Sequence, residues 1–115
     1  MNATVKAPKA VPTLLREDEN EAIFHCRISV ATAAYTSQTI VIPTRYAFKT
    51  LFKEVRLVLF EQTDAAIVTA KGIAPRYNYS TNVIKLYDKS TDVEIPNTDD
   101  VTISDLGLMV YGYVS

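Results

Sequence analysis

The sequence predicts an all-β domain of mainly antiparallel strands, a β-sandwich or jelly-roll-like barrel with one short helix and an extended N-terminal arm. Three observations carry this. Apolar residues alternate with a period of two in one run after another, as in strands buried on one face. Turn-forming residues separate these runs at intervals of roughly 8–12 residues, the spacing of a sandwich. Strands and helices do not alternate regularly, which argues against a parallel, doubly wound sheet. At 115 residues, the natural unit is one domain with one core.

The arm comes first, over residues 1–21. Pro8 and Pro12 keep it extended and out of any central strand. Lys6, Lys9 and Arg16 precede its first acid, Glu17. Val11, Leu14 and Leu15 have little use in a purely solvating tail, so the arm is expected to order on a neighbouring subunit. The folded domain spans residues 22–115. In 22–32, Ala22, Phe24, Cys26, Ile28 and Val30 share one parity and form the inner face of a first strand. Residues 38–42 form a second strand, ended by Pro43. Phe48, Leu51, Phe52 and Val55 then fall at i, i+3, i+4 and i+7, one face of a short helix with Thr44 as its N-cap.

Residues 55–61 return to strand, with Val55, Leu57 and Leu59 set against Arg56, Val58 and Phe60. A turn at Gln62–Asp64 leads to a short strand over 65–71. Two more alternating runs follow at 77–81 and 82–87. A polar, acidic stretch over 88–100 contains Pro96 and an edge segment near Val93–Ile95. Residues 101–104 and 106–114 close the domain. Only three glycines occur, so tight glycine hairpins are scarce and longer loops carry most connections. Phe24, Ile28, Ile40, Ile42, Phe52, Leu57, Leu59, Ile84, Leu86, Leu108 and Val110 are the expected core.

Composition narrows the function. A net charge of −1 argues against direct nucleic-acid binding, which needs phosphate neutralisation. No run reaches the roughly 18 apolar residues of a membrane span. The N-terminus lacks the apolar core of a signal peptide, so folding in a reducing cytoplasm is expected. The single cysteine, Cys26, allows neither an intrachain disulfide nor a cysteine zinc cage.

His25 is the only histidine, and a catalytic triad or Cys–His pair would need it beside a nucleophile. Cys26 is adjacent in sequence, but strand neighbours point to opposite faces. No glycine-rich phosphate loop and no EF-hand spacing is present. The reading is therefore of a protein that is not an enzyme and has no cofactor. The candidate partner-binding residues are Val11, Leu14 and Leu15 in the arm, Arg45 and Lys49 near the helix, and Tyr77, Tyr79, Tyr111 and Tyr113. Tyrosine buries area while keeping a polar tip, which suits interfaces. Arg45, Lys49, Lys53 and Arg56 form a basic patch in sequence, and the acids between Asp88 and Asp105 offer a complement for head-to-tail association.

The order of signals resembles that of the small β-rich virion proteins of tailed bacteriophages, including head decoration proteins. These signals are an N-terminal tail, the alternating strand, Val41-Ile-Pro-Thr44, an apolar segment through Phe60, a tyrosine-rich hairpin, Val83–Leu86 and the closing Leu-Met-Val-Tyr-Gly-Tyr run. The resemblance covers residues 22–115 in pattern. It implies a structural subunit, made and assembled in the host bacterial cytoplasm and resident in the virion. Its partners would be the major capsid protein or neighbouring copies, in a homo-oligomer or as many copies on a particle. The other reading is a small ligand- or carbohydrate-binding β-sandwich module, which a deep cleft lined by tyrosine and polar groups would favour.

Overall fold

The computed structural model describes residues 2–16, 20–35, 40–61, 66–68, 72–81 and 83–114. Two long strands form its spine. Strand β3 (Glu21–Ala34) and strand β8 (Asp100–Tyr113) pair antiparallel, from Glu21 opposite Tyr113 to Ala34 opposite Asp100. At about 3.3 Å per residue, each runs nearly the full 47 Å length of the molecule.

Short strands flank the spine. On one side, β1 (Thr4–Lys6) and β2 (Thr13–Leu14) both pair with β3. On the other, β4 (Glu54–Phe60) and β5 (Ile67–Val68) both pair with β8. A second sheet is the hairpin of β6 (Ile73–Asn78) and β7 (Val83–Asp88). Isolated antiparallel bridges extend it, from Ile40 to Ile84 and from Tyr87 to Glu94. Among the described residues the ladders between strands are all antiparallel, as the sequence predicts, and one isolated bridge, Asn2 to Val41, is parallel.

The two sheets share one core. Ala22, Phe24, Cys26 and Ile28 of β3 and Leu106, Leu108 and Val110 of β8 meet Ile40, Ile73, Ile84 and Leu86. Of the expected core, Phe24, Ile28, Ile40, Phe52, Ile84, Leu86, Leu108 and Val110 are buried, and Ile42 is partly so. Leu57 and Leu59 are not: they are 42% and 45% exposed. A bulge between Val55 and Leu57 in the pairing with β8 is the reason. One extra residue reverses every side chain beyond it, so Val58 and Phe60 turn inward instead. Leu59→Ala should therefore cost under about 1 kcal/mol, as surface substitutions do. A urea titration showing a loss of 2 kcal/mol or more, the range for a buried leucine, would place Leu59 back in the core.

The arm also departs from expectation. It does not lie apart from the domain: Thr4–Lys6 and Thr13–Leu14 edge the main sheet of their own chain. Ala3 is buried, and its N–H donates to the Val41 carbonyl at 2.9 Å. Proline allows this because an edge strand needs donors on one side only. Pro8 and Pro12 fall between the two short strands rather than within them.

The helix is shorter than its pattern. A 3-10 turn at Thr44–Tyr46 precedes helix α1 (Phe48–Leu51). Ala47, extended at ψ 132°, is the N-cap residue in place of Thr44, and no side chain caps α1. Residues 101–104 and 106–114, expected as two strands, are one. The expected turn at Gln62–Asp64, the start of the 38–42 strand and the flanks of the 65–71 strand lie outside the described residues.

Loops close with side chains where glycine is scarce. Asn78 Oδ1 accepts from the Ser80 N–H at 3.0 Å and the Thr81 N–H at 3.2 Å, holding the β6–β7 turn. Asp88 Oδ1 accepts from the Ser90 N–H at 2.8 Å at the next turn. Both are side-chain mimics of a backbone turn. The end of β3 is pinned by Tyr35, which is fully buried. Its hydroxyl donates to Glu94 Oε2 at 2.5 Å and accepts from the Leu86 N–H at 3.2 Å. Its own N–H donates to the Asp99 carbonyl.

Burial, then the Glu94 hydrogen bond, raise the Tyr35 phenol's pKa. Burial pushes Tyr77 up to about 12. Groups raised on folding stabilise below their unfolded pKa, near 10 for tyrosine, and that stability is lost as pH climbs through the folded values. The Cys26 thiol, which burial raises to about 11, adds a loss that starts at its lower unfolded pKa. The urea midpoint is therefore expected to hold to about pH 8.5, decline above it, and fall more steeply from about pH 10 toward pH 12. Tyr35→Phe should cost about 1–3 kcal/mol at pH 7, because Leu86 N–H and Glu94 lose their partner. A midpoint unchanged by Tyr35→Phe would show that this bridge is not made.

Candidate interaction surface

The outer face of the main sheet is built by strand register. Inward residues of β3 alternate with Ile23, His25 and Arg27. The ladder sets these opposite Tyr111, Met109 and Gly107 of β8, and β4 adds Leu57 beside Tyr111 and Leu59 beside Met109. On the other flank Thr13 of β2 stands beside Ile23. One row thus reads Thr13, Ile23, Tyr111, Leu57, and the next His25, Met109, Leu59. The result is an apolar, aromatic platform on the side of the sheet away from the core.

Charges rim it. Arg27 spans one end, with Nη1 and Nη2 donating to the two Glu61 carboxylate oxygens at 2.9 and 3.0 Å and Nε to Asp105 Oδ1 at 2.6 Å. This bridge crosses Gly107, where any Cβ would stand 2.3 Å from the Glu61 side chain. At the other end Tyr111 Oη donates to Glu21 Oε1 at 2.8 Å. That hydrogen bond, followed by desolvation, pushes the Tyr111 phenol up to about 12. Arg56 pairs with Glu54 at 3.1 Å and lies 5.8 Å over the Tyr113 ring. Tyr111 and Tyr113 stand 6.4 Å apart, centroid to centroid.

Two shallow depressions flank His25. One is lined by Pro8, Lys9, Val11, Thr13, Ile23 and Phe24, the other by Leu59, Phe60, Glu61, Gly107, Leu108 and Met109. His25 itself is exposed, while Cys26 is buried on the opposite face. Burial pushes the Cys26 thiol up to about 11, which removes the thiolate a nucleophile needs. Among the described residues no three of His, Cys, Asp and Glu converge on a metal position. Among them, too, no helix is long and apolar enough to cross a membrane.

The partner-binding residues read from the sequence divide between places. Val11, Tyr111 and Tyr113 border or form the platform. Leu14 and Leu15 are exposed at the sheet edge, roughly half accessible. Tyr77 lies in the other sheet and Tyr79 just past its strand in the β6–β7 turn; their rings meet edge to face at 4.9 Å, and Tyr77 packs 5.2 Å from Phe48. Lys49 follows Phe48 on α1, and Arg45 sits 5.2 Å over Tyr46. The basic patch is divided in the same way, with Arg56 at the platform's rim. The acidic stretch disperses as well: Glu94 serves Tyr35, Asp92 pairs with Arg76 and Asp105 with Arg27. Each of these three acids is thus engaged within its own chain.

Leu57 and Leu59, expected in the core, were missed as surface residues. Their signal was present in Glu54–Phe60, whose apolar residues occupy both parities. A strand apolar on both faces needs cover on both. Comparison with family models, with curated proteins and with solved structures returns no match.

Proposed function

We propose that this chain is a non-enzymatic structural subunit of a tailed-phage virion, a decoration or head-associated protein, that packs on a neighbouring virion protein through the outer face of its main sheet. The likeness in pattern to small β-rich virion proteins supplies the assembly, with the major capsid protein or neighbouring copies as the surface it covers. The observation that carries the docking role is the platform of Ile23, Leu57, Leu59, Met109 and Tyr111. Exposed apolar patches with polar rims mark interaction sites, and tyrosine within such a patch is a preferred anchor.

The test is cosedimentation of the purified chain with heads of the encoding phage that lack it. Tyr111→Ser combined with Leu59→Ser is expected to weaken binding by more than about tenfold, since truncating interface anchors costs 1–2 kcal/mol or more. The thermal melt should move only a few degrees. Unchanged binding, or no binding by the intact chain, would overturn the reading.

One observation favours the ligand-binding module as a second reading. On the β6–β7 hairpin, Tyr77, Tyr79 and Tyr87 line an open groove of about 370 Å³ together with Arg76, Asn78, Ser80 and Lys85. Aromatic rings beside amide and cationic donors suit a saccharide. Glycan-array binding that Tyr79→Ala abolishes would favour this reading over the first.

A further inference from the structure

The two edges of the main sheet are treated differently by the sequence. One edge, β1 and β2, is broken into pieces of three and two residues. Lys6, Pro8, Lys9 and Pro12 fall in or between them. Short strands, lysines and prolines are how proteins protect an edge from pairing with another chain. The other edge is β4, seven residues long. Among the described residues it pairs with β8 alone. From Leu57 to Phe60 it has no charge, no proline and no bulge, the features expected where an edge is covered.

We infer that β4 pairs antiparallel with β4 of a second copy about a two-fold axis at Val58, joining the two main sheets into one. The hydrogen-bonding pattern allows this register. The Glu61 N–H donates to the Gly107 carbonyl, and Leu59 and Leu57 lie in step with it opposite Met109 and Tyr111. Backbone groups alternate along an antiparallel strand, so those of Val58 and Phe60 point to the open edge. Val58 then exchanges both hydrogen bonds with its own copy.

Side chains select the same register. Leu57 falls opposite Leu59 of the second copy, and Leu59 opposite its Leu57, all on the outer face. Val58 meets Val58 on the inner face. Arg56 comes opposite Phe60, one residue from Glu61 of the second copy, an attractive neighbour. A shift of two residues one way sets Leu57 against Glu61. A shift the other way sets Arg56 against Val58 and drives the ladder into the bulge. Pairing of β4 with the β1–β2 edge of another copy would run into Pro8 and Pro12. A two-fold dimer of like edges is also the commonest closed arrangement. It would join two platforms side by side on one surface. The inference rests on the edge strand and does not depend on the virion role.

The test is mass in solution by light scattering and sedimentation at micromolar concentration. The intact chain should run at twice its 12.8 kDa mass. Leu57→Lys with Leu59→Lys places like charges opposite one another and should give monomers. Leu57→Lys with Leu59→Glu restores opposite charges in this register and should recover the dimer. Both positions are about half exposed, and circular dichroism checks that each variant folds. Independently, amide exchange in the intact chain should show Val58 and Phe60 protected, more so at higher concentration. A monomeric intact chain, a dimer that survives the double-lysine change, or Val58 and Phe60 amides exchanging as open-edge amides do would each overturn the proposal.

Discussion

Gly112→Ala is expected to destabilise the fold by about 3 kcal/mol, the upper end of the overpacking range, and to lower the melting temperature by about 10 °C or more. Gly112 is buried in β8, held between Ala22 on β3 and Val55 on β4. A Cβ there would stand 2.2 Å from the Glu54 carbonyl oxygen and 3.1 Å from the Phe52 ring. The first obstacle is backbone, so no side-chain rotation relieves it. The strand would have to pull away where the Lys53 N–H donates to the Tyr113 carbonyl at 2.8 Å. Conformational freedom is not the reason for this glycine, because among the described residues no glycine has a positive φ. It is there for the close passage of the chain entering β4. Gly72→Ala is the control: among the described residues its Cβ would meet only the Lys89 side chain, at 3.8 Å, and the melt should shift little. Thermal melts followed by near-ultraviolet circular dichroism make the comparison. A Gly112→Ala protein within a few degrees of the parent would mean that the approach of β4 to β8 is looser than described.

Removal of residues 1–16 is expected to cost about as much, lowering the melting temperature by about 10–20 °C for a loss near 3 kcal/mol. Composition alone argues for an arm that leaves the domain's stability untouched. The register argues otherwise. Deletion strips the β1 and β2 ladders from β3 and takes away Ala3 and its hydrogen bond to Val41. Unpaired N–H and C=O groups along β3 would face water, and its inward residues at the edge would lose cover. The same deletion removes Val11, Leu14 and Leu15, so weakened assembly in such a protein would not by itself assign a binding role to the arm. Separate substitution of Val11, 64% exposed, by serine isolates the surface role, because it should leave the melt unchanged. A truncated chain that melts with the parent would restore the arm as a free assembly element.

By itself the sequence determined that the chain would form antiparallel strands around a single core. It also identified the inner faces of β3, β7 and β8. There the alternation is clean: on β3 Phe24, Cys26 and Ile28 are apolar while His25 and Arg27 are not, so one burial choice dominates energetically. It also separated His25 from Cys26 by parity alone. It could not decide β4, because Val55, Leu57, Val58, Leu59 and Phe60 are apolar on both parities. The tertiary structure decided that strand through a bulge beside Gly112, and with it the exposed leucines that make the platform. Likewise only the fold decided which tyrosines share a surface. Tyr77 and Tyr111 read alike in sequence, yet one turns toward Phe48 and the other toward solvent and Glu21. Strand period records which face a residue takes; which strands lie side by side is set by long-range pairing, and no local pattern encodes it.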